Sequence, residues 1–345
     1  MGPVRASVVL RSQSGDAVLL ARLRALRGRG RVESVFRGVL NLLLPDGELM
    51  ALAARGRADA PRTLVVDVPH WGDSGVRPGE PVDFAPSGVT LPGADGGIRI
   101  CIRESEEWNP ILPSLDQLTS AELDTAAHAL RQVTYAHGEL GGMLGASPTA
   151  APMETAVCAA LDHGRRRLVR AVRSSCGDTP HADGRTAPAE PLHEHDGGPA
   201  LSVPASHDGA LALREAVLAL LGLGPGLTPA GDDFLVGIAV LSAIDGSRLD
   251  LFAQTLGQVL TEHPGRTTLL STTTLREALA GRVRAPFVDV LHSLAATRGQ
   301  SEAQAVDTIR SPVRRALAHG HTSGADTLSG LVTGLHLEKE LRGSL

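Results

Sequence analysis

Apolar and polar positions change their rhythm about a third of the way along the chain. Before that point the apolar residues come in short runs. Residues 32–44 are rich in β-branched and apolar side chains and stop at Pro45-Asp46-Gly47, a turn signal; residues 48–54 read as the returning strand. A third short strand is predicted over 63–68, ending at Pro69, and 75–82 reads as a turn-rich connector feeding another. Residues 98–103 alternate apolar with polar, as a half-buried strand does. Several short strands at this spacing predict a small β barrel or sandwich.

From about Leu115 the period becomes helical. Helices are predicted over 115–140, 153–172, 210–223, 233–244, 249–261, 267–280, 285–297, 302–318 and 325–341. In the last, Leu328, Leu331, Val332 and Leu335 repeat at i, i+3, i+4 and i+7, one apolar face. Residues 174–209 are dense in Pro, Gly, Asp and His and predict a mobile surface loop. The expected fold class is α+β. A β-rich barrel-like or sandwich-like domain over 1–108 is followed by a mostly helical domain over 109–345. The longest apolar run, 234–244, is too short to cross a bilayer and reads as a buried helix.

The most informative segment is Gly-Leu-Gly-Pro-Gly-Leu-Thr-Pro-Ala-Gly-Asp-Asp at 222–233. Glycines let backbone N–H groups approach a ligand, and a helix start favours an anion. Gly224, Gly226, Leu227, Thr228 and Gly231 are therefore candidate anion- or substrate-binding residues. Thr228 with Pro229 has the form of an N-cap and first-turn pair. Asp232 and Asp233 open a helix that is apolar on every side. Complementing the helix dipole is one role for them; a desolvated carboxylate that needs a metal, an arginine or a substrate N–H is the other. Both are candidate catalytic residues, with Mg²⁺ as a conceivable ligand. A second segment, Ser-Gly-Ala-Asp-Thr-Leu-Ser-Gly at 323–330, repeats the design: Asp326 to Gly330 parallels Asp233 to Gly237. Two such starts predict helix N-termini converging on one pocket, with Ser323 and Gly324 binding and Asp326 catalytic. The capping-box spacing of Ser323 and Asp326 is the competing structural reading. His321 is a candidate acid or base. The hydroxyl-rich helix from Thr267 offers Thr268, Ser271 and Thr272 on one face, either lining a polar pocket or bonding back to carbonyls.

Composition narrows the chemistry. The net charge of −5 and the 2% of aromatic residues argue against nucleic-acid binding. Lys339 is the only lysine, in none of the contexts that phosphate-loop ATPases, pyridoxal enzymes or biotin carriers need. Cys101, Cys158 and Cys176 form no CxxC pair, so a reducing cytoplasm is the simplest compartment, and no apolar leader is visible before Ser12. The arginine run from Arg22 to Arg31 reads as a solvated loop, His193-Glu-His195 as adventitious clustering, and Trp108 as an anchor between domains.

The segments at 226–235 and 323–328 resemble those of the family that includes the small subunit of oxamate carbamoyltransferase. So do the stretch from Val32 to Asn41 and the hydroxyl-rich helix, which makes Asn41 a further candidate contact. The resemblance implies one subunit of three that together use oxalurate and phosphate to give oxamate and carbamoyl phosphate. Partners would be a small carbamoyl carboxylate and two other subunits, or further copies of the chain, with no membrane. Ala230 stands where the family often carries a serine, so that hydroxyl is dispensable here. The alternatives are a ligand-binding or scaffold subunit without chemistry of its own, and a metal-dependent hydrolase or lyase acting on a C–N bond.

Overall fold

The computed structural model describes residues 6–94, 96–176, 207–318 and 320–343. Its first part is a closed β-barrel. The strands are β1 (Ala6–Asp16), β2 (Gly28–Val35), β3 (Val39–Leu43), β4 (Leu49–Ala54), β5 (Thr63–Val66), β6 (Pro81–Ala85), β7 (Gly88–Leu91), β8 (Gly97–Cys101) and β9 (Glu106–Trp108). They run in the order β5-β4-β3-β2-β6-β7-β8-β1, and an antiparallel β1–β5 pairing closes the ring. The β4–β5 and β1–β8 pairings are parallel, and β9 adds to β1 as an extra strand.

Leu40, Leu42, Leu52, Leu64, Val66 and Ile100 fill the interior with α1 (Ala17–Ala25), whose Leu19, Leu20 and Leu23 seal the core. Strands β3, β4 and β5 are buried on both faces: the inner face fills the barrel, and the outer carries the helical half. This explains why 49–54 and 63–66 read as apolar runs rather than alternating strands.

Two sequence expectations change, and one strand had no pattern to predict it. The segment 32–44 is not one strand but the β2–β3 hairpin, turning at Phe36–Gly38. The long β1 escapes apolar patterning because Ser12, Gln13, Ser14 and Gly15 interrupt it. The arginine run is not a loop: Arg22 and Arg24 lie on α1, Arg29 and Arg31 on β2, and Arg22, Arg24 and Arg29 pair with Asp46, Glu48, Glu107 and Asp83.

The second part holds, among the described residues, nine α-helices and one 3-10 turn at Gly142–Leu144. These are α2 (Ser120–His137), α3 (Pro152–Cys176), α4 (His207–Leu220), α5 (Ala230–Ser242), α6 (Asp250–Glu262), α7 (Leu269–Leu279), α8 (Ala285–Ala295), α9 (Glu302–Leu317) and α10 (Ser323–Gly343). Most of the 174–209 segment, with His181, His193 and His195, lies outside the described residues; its two ends are helical. None of the described helices is long and apolar enough to cross a membrane.

Helix α5 is the axis of this half, with every residue from Ala230 to Leu241 buried. It crosses α10 backbone to backbone. A Cβ on Gly237 would lie 2.1 Å from the Thr327 carbonyl oxygen, and one on Gly330 only 2.0 Å from that of Phe234. The paired glycines of the two repeated motifs are thus the contact point. Asp233 and Asp326 sit four residues before them, one helical turn back, which sets the two helix starts side by side.

The halves are joined through Asp16. Its carboxylate accepts from the Arg62 N–H (2.7 Å) and pairs with Arg282. Arg282 also reaches Glu277 (2.8 Å), which Arg62 approaches from the barrel side (3.6 Å). The Ala285 N–H donates to the Asp59 carbonyl (3.0 Å).

The crossing is tested by Gly330→Ala, expected to cost about 3 kcal/mol or more by overpacking against backbone that has no rotamer to yield. Gly257→Ala on α6, where nothing lies within 4 Å, is expected to be neutral or stabilising by roughly 0.4–1 kcal/mol. Denaturant unfolding of both variants reads the difference; equal effects would contradict the crossing.

Candidate functional site

The chain between α4 and α5 doubles back on itself. Gly224 holds φ at +123°, where side chains rarely go, and a Cβ at Gly231 would lie 2.1 Å from the Leu220 carbonyl oxygen. Asp232 ties the base of this loop. It accepts from the Gly222 N–H (2.7 Å) and from the Thr267 hydroxyl. Burial raises its pKa, and bonds from Thr267, Gly222 and Ser271 oppose the rise. The Leu227 carbonyl accepts from Thr268 (2.6 Å) and Ser271 (3.4 Å), so the hydroxyl face of α7 holds the loop from behind. Thr268 is also the N-cap of α7, accepting from the Ser271 N–H (3.0 Å). The α7 hydroxyls that line open space are instead Thr273 and Thr274, which bond back to Leu269 (2.8 Å) and Leu270 (3.0 Å).

The two motifs meet at a hydrogen bond between the Thr228 and Ser323 hydroxyls (3.1 Å). Thr228 does not cap α5; Pro229 takes the N-cap place without a side-chain bond. Beside this pair stands Asp233, 7% exposed, with its Oδ2 buried and lacking a partner. Desolvation pushes its pKa well above the ordinary value; bonds from Ser323 and Thr228 oppose this, and the nearby Asp326 and Asp232 add to it. Burial at this position therefore favours the protonated form of Asp233.

Asp326 is fully buried and turned toward the 3-10 turn. Its Oδ1 accepts from the Met143 N–H (2.7 Å), and Gly142 lies so close that a Cβ there would be 2.2 Å from that oxygen. Ser323 is the first residue of α10 rather than its cap, so the capping-box reading of this pair is replaced by a tertiary bond. Gly324 admits the backbone of α9, its Cβ position 2.4 Å from the Ala316 carbonyl oxygen.

A cavity of about 440 Å³ opens between the outer face of β3–β5 and the starts of α5, α8 and α10. Of the residues expected at a site, it is lined by Asn41, Leu227, Thr228, Asp233 and Ser323. Asp232, Gly224, Gly226, Gly231, Thr268 and Ser271 build the loop behind it, and Asp326 and Gly324 support α10. His321 stands apart, its side chain 81% exposed and paired with Glu139. Among the described residues no three His, Cys, Asp or Glu side chains come together as a metal site. Each oxygen of Asp232 accepts one hydrogen bond within the loop.

Sequence reasoning missed four cavity arginines, Arg57, Arg62, Arg282 and Arg284, together with Glu277. Arg284 is the N-cap residue of α8, and desolvation lowers its pKa, with Arg57 acting in the same sense and Asp233 against it. In a chain this rich in arginine, only the Arg-Val-Arg triplet just before Pro286 marked the place.

Burial holds the Asp326 pKa at about 6 against an ordinary 3.8. Between those values the folded chain keeps a proton that the unfolded chain has shed, so stability falls as pH rises through the window. The full loss from this group is about 3 kcal/mol, and Asp233 acts in the same direction. Denaturant unfolding across pH is expected to show a decline that Asp326→Asn reduces by about that much; identical pH profiles would contradict it.

Residues 220–335 match the family model described as oxamate carbamoyltransferase subunit AllH, and residues 11–107 match the AllH family N-terminal domain. No solved structure matches the chain.

Proposed function

The chain belongs to the family of oxamate carbamoyltransferase subunits, and on that footing we propose that its cleft binds a small carbamoyl or ureido carboxylate of the oxalurate kind, with phosphate or carbamoyl phosphate, inside a multi-subunit carbamoyl-transferring enzyme. The observation that carries this reading is the buried Asp233 Oδ2, which has no partner, on a carboxyl that lines a cavity beside two hydroxyls. A buried polar atom without a partner marks a place kept for one.

In the direction that consumes oxalurate, a phosphate oxygen attacks the carbamoyl carbon. The bond from that carbon to the oxamate nitrogen breaks, and the nitrogen takes a proton. In this reading Asp233, whose burial favours the protonated form, supplies that proton. The Thr228 and Ser323 hydroxyls orient the carbamoyl group against it. Asp232 and Asp326 act through position: one closes the glycine loop, the other seats α10 on the 3-10 turn. His321, exposed and paired with Glu139, has no part in this scheme.

In the assembled enzyme, Asp233→Asn is expected to lower kcat about 100-fold or more while the thermal midpoint of the purified chain holds. Asp232→Asn is expected to lower that midpoint, costing roughly 1–3 kcal/mol through its lost loop bonds. Turnover by Asp233→Asn near the wild-type rate would refute the assignment. Calorimetric binding of oxalurate by the lone chain without turnover would place the chemistry on a partner and leave this cleft as the binding site.

A further inference from the structure

The cavity has a second end, built from charge. Arg62 and Arg282 are already answered there by Glu48, Glu277 and Asp16. Arg57 and Arg284 are not: among the described residues neither guanidinium has a hydrogen bond or an ion pair, although both line the cavity. One comes from the loop after β4 on the barrel, the other from the start of α8 on the helical side. Asp233 on the helical wall attracts Arg284, but among the described residues it forms no ion pair with either guanidinium, and its burial favours the uncharged carboxyl. Two unanswered cations in a partly desolvated cleft are unfavourable unless an anion joins them.

The Arg57 guanidinium lies against Gly38 in the β2–β3 turn. A Cβ at Gly38 would sit 2.5 Å from its Nη2 and 2.8 Å from both Cζ and Nε. Gly38 has no left-handed φ to explain the residue type. What the glycine supplies is room for the guanidinium plane at the cavity wall.

We propose that Arg57 and Arg284 form a clamp, one jaw from each half of the molecule, that binds an oxyanion in the cleft, with Gly38 keeping the Arg57 jaw in place. The ligand chemistry is a carboxylate or phosphate group whose oxygens face two guanidinium forks. The clamp rests on the reading of this cleft as the ligand site and extends it: it fixes the anionic end of the ligand, so that the carbamoyl group lies toward Asp233. It also makes binding depend on the two halves staying docked, because neither carries both arginines.

The test is calorimetry of the full chain with inorganic phosphate and, separately, with oxamate, for the wild type and for Arg57→Gln, Arg284→Gln and Gly38→Ala. The wild type is expected to bind at least one of the two anions. Each glutamine variant should weaken that binding tenfold or more. Gly38→Ala keeps both charges but displaces one guanidinium, and should weaken it at least threefold. Thermal unfolding without added anion should show each glutamine variant as stable as the wild type or more so, since removing one of the two cations relieves repulsion. Loss confined to phosphate assigns the clamp to the phosphoryl partner; loss confined to oxamate assigns it to the carboxylate. A wild type that binds neither anion, or arginine variants that bind like the wild type, overturns the clamp. A loss with only one of the two arginines also overturns it, and unchanged binding by Gly38→Ala removes Gly38 from it. Arginine-dependent anion binding in a chain whose assembled enzyme transfers no carbamoyl group would keep the clamp and refute the proposed reaction.

Discussion

Helices α5 and α10 touch through their backbones at Gly237 and Gly330, and most of the site's geometry depends on that contact. Two helices that approach so closely have their relative height and angle set, because neither backbone can yield as a side chain can. Their first turns then fall side by side. This brings Thr228 to Ser323 and leaves Asp233 and Asp326 inside, where desolvation raises both pKa values. The burial of these acids follows from a packing decision made one helical turn away.

The barrel contributes a wall. Strands buried on both faces are costly to leave uncovered, and β3–β5 spend their outer face against the helical half. The ion-pair set around Asp16, Arg62, Glu277 and Arg282 sits at the rim of that contact and fixes the register of one half on the other. Arg62 adopts a positive φ of 56° there, the only such value at a non-glycine among the described residues. Its backbone N–H reaches Asp16 while its side chain bonds the Leu49 carbonyl (2.6 Å). Strain of this kind persists where several bonds hold it.

Much of this was legible in the sequence. The helical half followed its periodicity, and α5 read as a helix buried all round, which it is. The parallel between the two motifs pointed to paired helix starts, and the glycine loop announced an unusual turn. Three things were hidden. Where β1 is interrupted by serines, its pairing is decided by neighbours distant in sequence, so no local pattern marks it. The roles of Asp232 and Asp233 depend on which way adjacent side chains point: one bonds Gly222 and Thr267 in the loop, the other faces the cleft. The cleft arginines were hidden by abundance, since nothing local separates Arg57 from the ion-paired arginines of the barrel surface. Only the tertiary structure shows which guanidinium groups lack a partner.

The most direct test of the central claim is a crystal structure of the full chain with oxamate and phosphate. Ligand density is expected in the cleft between the barrel and α5, with one polar atom within hydrogen-bond reach of Asp233 Oδ2. Ligand bound at another surface, or a cleft closed by side chains with Asp233 paired inside the protein, would contradict it.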